Sequence, residues 1–99
     1  MAQQIYKSWL INRWTDTWYG LSKREQDSLL EKVAGALTAA GGKSIIVCNS
    51  SWSSDGNQSF GLEVFPTLEA VQKHTQLLIE LNWFRYIESS SVLGTEFTS

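Results

Sequence analysis

The sequence predicts a single small α+β domain whose elements follow the order strand, helix, strand, strand, helix, strand. Three observations support this fold class. The chain has 99 residues, which fits one domain, so we expect that domain to span 1–99. Two segments carry apolar residues at helical spacing, and the segments around them are rich in the branched and aromatic residues typical of strands.

The first strand and first helix have clear signals. Residues 5–14 contain no Gly or Pro, and apolar side chains occur in both alternating sets, at Ile5, Tyr6, Trp9, Leu10, Ile11 and Trp14. After a connection at 15–20, Ser22 and Glu25 have the spacing of a helix capping box. Helical periodicity then continues to Ala40, and Gly41-Gly42 predicts the end of the helix.

A hairpin and a second helix follow. Residues 44–52 predict the second strand, and 59–65 predict the third because Phe60, Leu62 and Val64 alternate with smaller or polar residues. Asp55-Gly56 is a strong turn signal between them. Pro66 ends the third strand, Thr67 begins a helix that runs to about 83–85, and 86–97 supply the last strand.

This element order is that of the ferredoxin-like, or split βαβ, arrangement. Two right-handed crossovers place both helices on one face of a four-stranded antiparallel sheet, which leaves the other face uncovered. Since the first two strands are apolar on both faces, the uncovered face would expose apolar side chains to water. We therefore expect a homodimer in which two sheets pack face to face, roughly 10 Å apart.

Composition and charge exclude several classes of function. The net charge is −2 and the Lys and Arg residues are scattered, so we expect no nucleic-acid partner. No apolar stretch is long enough to span a membrane, and we expect no membrane association. The single cysteine, Cys48, cannot form an internal disulfide or a Cys-based zinc site. We expect no metal and no cofactor, and a cytoplasmic location.

Three segments carry a resemblance that covers nearly the whole chain. They are Trp18-Tyr19-Gly20-Leu21-Ser22, Glu63-Val64-Phe65, and Trp83-Phe84-Arg85-Tyr86-Ile87-Glu88. In these the chain resembles the dimeric α+β barrel superfamily, and within it small uncharacterised bacterial families. The resemblance implies a pocket between sheet and helices, as in the antibiotic-biosynthesis-type monooxygenases and muconolactone isomerases of the superfamily.

The haem-degrading members of that superfamily use an Asn, a Trp and a haem-ligating His near the end of the second helix. This chain has Asn12 on the first strand, but the end of its second helix reads Trp83-Phe84-Arg85 without a histidine. His74 lies earlier, on the body of the helix. That departure argues against haem.

His74, the only histidine, is the candidate catalytic residue, because a neutral imidazole can act as a general base. The plain alternative is a half-buried, hydrogen-bonded histidine on the flank of a helix. Glu63 is expected on the dimer side of the third strand, where Arg13 or Lys7 would pair with it, or at a strand edge in water.

Aromatic side chains are the candidate ligand contacts. We select Trp18 and Tyr19 before the first helix, and Trp83 and Tyr86 after the second. Their N–H and O–H groups would give an apolar pocket its few polar contacts. Core and interface packing explain many aromatic residues equally well.

These residues leave three functions open. The first is a dimeric barrel protein that binds a small apolar or aromatic molecule without catalysis, or has a structural role. The second is a cofactor-free monooxygenase or isomerase acting on an aromatic or polyketide-like substrate, with His74 as the base. The third is a haem-handling protein.

Overall fold

The computed structural model describes residues 3–53 and 56–97 and confirms the α+β fold class. A 3-10 turn at Trp83–Arg85 follows the last helix, and the predicted turn residue Asp55 lies outside the described residues. The strands and helices, in chain order, are β1 (Ile5–Trp14), α1 (Asp16–Tyr19), α2 (Lys23–Ala39), β2 (Lys43–Asn49), β3 (Ser59–Phe65), α3 (Leu68–Glu80) and β4 (Ile87–Thr95).

The four strands form one antiparallel sheet in the order β2-β3-β1-β4. β1 lies at its centre, between β3 and β4. The chain passes through α2 between β1 and β2, and through α3 between β3 and β4, and each passage skips one strand. This is the predicted ferredoxin-like topology.

The two long helices begin where the capping residues predict. Glu25 N–H donates to Ser22 Oγ at 3.1 Å, and Ser22 N–H donates to Glu25 Oε1 at 2.9 Å, which completes the capping box of α2. Gly41, with φ of 84°, follows the end of α2 in the left-handed conformation that glycine adopts without strain. Thr67 Oγ1 accepts from Ala70 N–H at 3.1 Å and caps α3.

The single-turn helix α1 occupies the predicted connection at 15–20. It is too short to show helical periodicity in the sequence. Thr15, which precedes α1, makes two hydrogen bonds to the segment before β4. Its N–H donates to the Tyr86 carbonyl at 3.0 Å, and its hydroxyl donates to the Arg85 carbonyl at 2.7 Å. The turn directs Trp18 into the core.

A β-bulge in β1 changes which side chains face the helices. Up to Ile11 the odd-numbered residues of β1 point toward the helices, since Lys7 and Ile11 are buried there. The pairing with β4 then shifts between Ile11 and Arg13, so that Trp14 pairs with the buried Ile87. Trp14 thus returns to the helix side despite its even number.

Both long helices pack on the same face of the sheet. One core cluster there joins Ile11, Trp18, Ala36, Leu78, Trp83 and Ile87. A second cluster joins Phe65, Ala70 and Val71. Among the described residues, no helix is both long enough and apolar enough to cross a membrane.

The opposite face of the sheet, which we call the open face, is not covered within the chain. Register and alternation assign to it apolar or aromatic residues from all four strands. Val92 is 71% exposed and Ile46 is 54% exposed. The apolar and aromatic residues of the open face are Tyr6, Leu10, Ile46, Phe60, Leu62, Val92 and Val64, of which Val64 is buried within the chain.

Candidate functional site

A cavity of about 390 Å³ lies between the helix side of the sheet and the two long helices. Its walls come from β1, β3, β4, α2, α3 and the 3-10 turn, with one residue from β2. Leu30, Val47 and Phe84 line it while remaining exposed, so they lie where it meets solvent. Most of the other lining residues are apolar or small: Trp9, Ile11, Trp14, Val33, Ser59, Leu78, Trp83, Ile87, Ser89, Ser90 and Ser91.

Lys7 and Glu63 bring two titratable groups into this apolar cavity. They are direct partners in the β1–β3 register, and both line the cavity. Lys7 is only 9% exposed. Burial lowers the pKa of Lys7 although Glu63 opposes the change, and burial raises the pKa of Glu63 although Lys7 opposes it. Burial therefore shifts both groups toward their neutral forms.

The expected position of Glu63 on the dimer side was wrong. Because Glu63 pairs with Lys7 and shares its alternation with the fully buried Phe65, it faces the helices, while Phe60, Leu62 and Val64 face away from them. Arg13, which was expected to be a partner of Glu63, instead pairs with Glu88 on β4 at 3.0 Å.

His74 reaches the cavity from α3. It is 3% exposed, and its ring centroid lies 5.3 Å from that of Phe65. Its Nδ1 atom has no hydrogen-bond partner within the described part of the chain. Burial, with a smaller contribution from the charge of Lys7, lowers the pKa of His74 to about 4. His74 is therefore a neutral imidazole near pH 7.

Trp9 supplies a second buried nitrogen without a partner. Its indole lies over Gly61, so closely that a Cβ atom at position 61 would stand 2.5 Å from Trp9 Cζ2. Trp9 Nε1 is buried, and no acceptor for it is found among the described residues. An indole N–H is only a donor, so Trp9, whose side chain lines the cavity, holds one unused hydrogen bond at a buried atom.

Of the four aromatic residues selected from the sequence, Trp83 lines the cavity. Trp18 and Tyr86 are not among the lining residues. Trp18 stacks on Trp14 at a centroid distance of 4.3 Å, and it meets Tyr86 edge to face at 6.5 Å. Both thus support the wall from behind. Tyr19 is 65% exposed and lies away from the cavity.

Sequence reasoning missed the parts that Lys7 and Trp9 play in the site. One signal was present: Ile5, Lys7, Trp9 and Ile11 form one alternating set, in which a lysine stands among apolar residues. A charged residue in such a set indicates either a solvated face or a functional cavity. Only the position of the helices distinguishes these two cases.

The remaining polar candidates lie elsewhere. Asn12 donates from Nδ2 to Asn57 Oδ1 at 3.1 Å in an exposed position, and it does not line the cavity. In the part of the chain that the structure describes, no group of His, Cys, Asp and Glu side chains is arranged to hold a metal ion. The cavity thus combines apolar walls with an amine, a carboxyl group, an imidazole and an indole N–H.

Comparison with known proteins adds information on the fold. No family model matches the chain, and no curated protein matches it. Solved structures do. Two mutant forms of chlorite dismutase from Candidatus Nitrospira defluvii superpose on the whole chain, each with a TM-score of 0.72, at 13% and 15% sequence identity. The chain spans 42% and 43% of the length of these proteins. The chain therefore has the ferredoxin-like α+β fold of these proteins, and the resemblance drawn from the sequence is confirmed for the fold.

Proposed function

We propose that this protein binds a small apolar or aromatic molecule in the cavity between sheet and helices. The observation that carries the proposal is that two of the side chains lining one apolar cavity, Trp9 and His74, each hold a buried nitrogen without a hydrogen-bond partner among the described residues. A buried polar group without a partner costs about 1–3 kcal/mol. A ligand whose entry turns these side chains far enough to reach the two nitrogens recovers this free energy on binding.

The two nitrogens define the polar part of the ligand. Trp9 needs an acceptor, and the neutral His74 exchanges one hydrogen bond in either direction. A single hydroxyl group both donates and accepts, so a hydroxylated aromatic molecule can serve both side chains. Stacking and edge contacts with Trp14 and Trp83 favour a flat ligand.

A second candidate function is a cofactor-free isomerase or monooxygenase with His74 as general base. The observation in its favour is that His74 lines the cavity and that its Nδ1 atom has no hydrogen-bond partner among the described residues. A base with a pKa near 4 is neutral and able to accept a proton at pH 7, although its driving force is small. Hydrogen–deuterium exchange at the acidic carbon of 2-tetralone, followed by NMR, tests this role. Exchange that is lost in His74→Leu supports it, and exchange no faster than in buffer contradicts it.

We further propose a homodimer that packs through the open face. Its support is the set of apolar side chains that all four strands expose on that face. Monomers rarely leave so extensive an apolar surface in water. We also propose a cytoplasmic location, which suits the free thiol of Cys48.

Tryptophan fluorescence tests the binding proposal, because Trp9, Trp14 and Trp83 line the cavity. We expect saturable quenching by naphthalene and by 1-naphthol, which differ by one hydroxyl group. The naphthol should bind about tenfold more tightly, since one added hydrogen bond contributes about 1 kcal/mol or slightly more.

The matched control is His74→Leu, which replaces the imidazole with an apolar side chain of similar size. This variant should bind naphthalene as tightly as wild type does. It should lose most of the difference in affinity between 1-naphthol and naphthalene. Quenching that rises linearly without saturation for both molecules would show that the cavity takes no ligand of this kind.

A further inference from the structure

Lys7 is unlike the other lysines of the chain. It lies near the middle of β1 and is 9% exposed, whereas the remaining four lysines, Lys23, Lys32, Lys43 and Lys73, are all exposed. Lys7 also lines the cavity, so its amine is reachable by a molecule bound there. The site thus contains a primary amine held in an apolar environment.

The amine has no fixed partner. Lys7 Nζ makes neither a hydrogen bond nor an ion pair among the residues that the structure describes, although Glu63 stands opposite on β3. A lysine held by a close carboxylate keeps its proton and cannot react as a nucleophile. Desolvation in an apolar pocket has the opposite effect, since it favours the neutral amine.

The neighbours of Lys7 suit amine chemistry. Glu63 carries a carboxyl group on the same wall, and burial favours its protonated form. His74 adds a neutral imidazole from α3. An amine nucleophile, a carboxylic acid and an imidazole base in one apolar cavity are the groups that carbonyl condensation requires.

We propose that Lys7 forms an imine with an aldehyde or ketone that carries an apolar or aromatic group. This inference rests on the proposed function in one respect, since the cavity must admit such a molecule. The amine nitrogen attacks the carbonyl carbon, and a proton moves from nitrogen to oxygen to give a carbinolamine. Glu63 then protonates the hydroxyl group, which leaves as water while the C=N bond forms. No oxidant or reductant is needed.

Reductive trapping tests the inference. The protein is incubated near neutral pH with 2-naphthaldehyde and sodium cyanoborohydride, which reduces an imine to a stable amine. We expect one naphthylmethyl group per chain, located by peptide mapping on the peptide that contains Lys7. Labelling of Lys7 should exceed that of the exposed lysines about tenfold for each unit by which its pKa is lowered.

Lys7→Met is the informative variant because it keeps the length of the side chain and removes the amine. It should lose the specific label, while Lys73→Met should keep it. A label spread evenly over the exposed lysines, or unchanged in Lys7→Met, would refute the inference.

A separate measurement distinguishes failure of this inference from failure of the binding proposal. The alcohol 2-naphthalenemethanol has the shape of the aldehyde but forms no imine. If it quenches tryptophan fluorescence saturably in wild type and Lys7→Met while the aldehyde leaves no label on Lys7, binding stands and imine formation is wrong. If neither molecule binds, both proposals fail.

Discussion

Lys7 and Glu63 are direct partners across the β1–β3 ladder, and both side chains point into the cavity under the helices. An amine and a carboxyl group thus share a wall that is otherwise mostly apolar or small. Both groups are partly desolvated. Each opposes the change in pKa that burial causes in the other. Substitutions at the two positions should therefore have coupled effects on the free energy of unfolding.

A double-mutant cycle should reveal that coupling. Lys7→Met and Glu63→Leu are each expected to destabilise the fold by about 1–3 kcal/mol, because each leaves the other side chain's polar group buried without the polar group that lies opposite. The double variant should cost less than the sum of the two. Urea denaturation measures all three, and strictly additive free energies would show that the two groups do not interact.

The titration of His74 predicts a loss of stability in acid. Its pKa is about 4 in the folded chain, against 6.5 for an unperturbed imidazole, so the unfolded chain takes up the proton first as the pH falls. The contribution is fully present above 6.5 and is lost between about 6.5 and 4, with an upper limit of about 3 kcal/mol.

Glu63 has the opposite effect on the pH dependence of stability. Because its pKa is raised in the folded chain, it lowers the free energy of unfolding as the pH rises above 4.5. The comparison with His74→Leu isolates the histidine because that variant retains Glu63. Urea denaturation at pH about 7 and about 4.5 should show a smaller loss for the variant than for wild type. Equal losses would mean that His74 titrates alike in the folded and unfolded chain.

Gly61 keeps the indole of Trp9 in place. A Cβ atom there would lie 2.5 Å from Trp9 Cζ2 and 2.8 Å from the Ile46 carbonyl oxygen, so Gly61→Ala must displace one of them. We expect a cost of about 1–3 kcal/mol and weaker binding of 1-naphthol. Gly94→Ala is the matched control in β4, because a Cβ atom at that position meets no atom within 4 Å. Its effect should stay within about 0.5 kcal/mol, and equal effects at the two positions would contradict the role given to Trp9.

The proposed dimer is tested by placing a charge on the open face. Wild type is expected to sediment as a dimer at tens of micromolar, and Leu62→Lys as a monomer, because a lysine there would be desolvated between two sheets. Ile79→Lys is the matched control, since Ile79 is 52% exposed on α3, away from the open face. A monomeric wild type, or dissociation of both variants alike, would exclude this interface.

The sequence alone was sufficient for the four strands, the two long helices and their order, although not for the single-turn helix α1. Ser22, Glu25 and Gly41 marked the ends of α2 because capping is local chemistry that depends on a few adjacent residues. The existence of a crevice beside His74 also followed from the topology, which places two helices on one face of the sheet.

The face of each strand residue could not be predicted as well. On β3 the alternation is clear, with Phe60, Leu62 and Val64 in one set, but which of the two sets faces the helices depends on register with β1. For that reason Glu63 was assigned to the wrong face. The aromatic residues raised a similar difficulty, because the same side chains suit both the lining of a cavity and the packing behind it. Trp83 lines the cavity, whereas Trp18 packs against Trp83 without lining it.

The bulge that follows Ile11 gives β1 one residue more than the stretch of β4 with which it pairs. One extra residue, Asn12, allows Trp9 and Trp14 to face the same side although their numbers differ in parity. Deleting Asn12 would remove the extra residue, and Ile11, Arg13 and Trp14 would then oppose Ser89, Glu88 and Ile87 in regular alternation, with Trp14 still on the helix side. The end wall of the cavity is therefore insensitive to the loss of one residue at this point, and a variant of this protein without Asn12 should accept molecules of the same size.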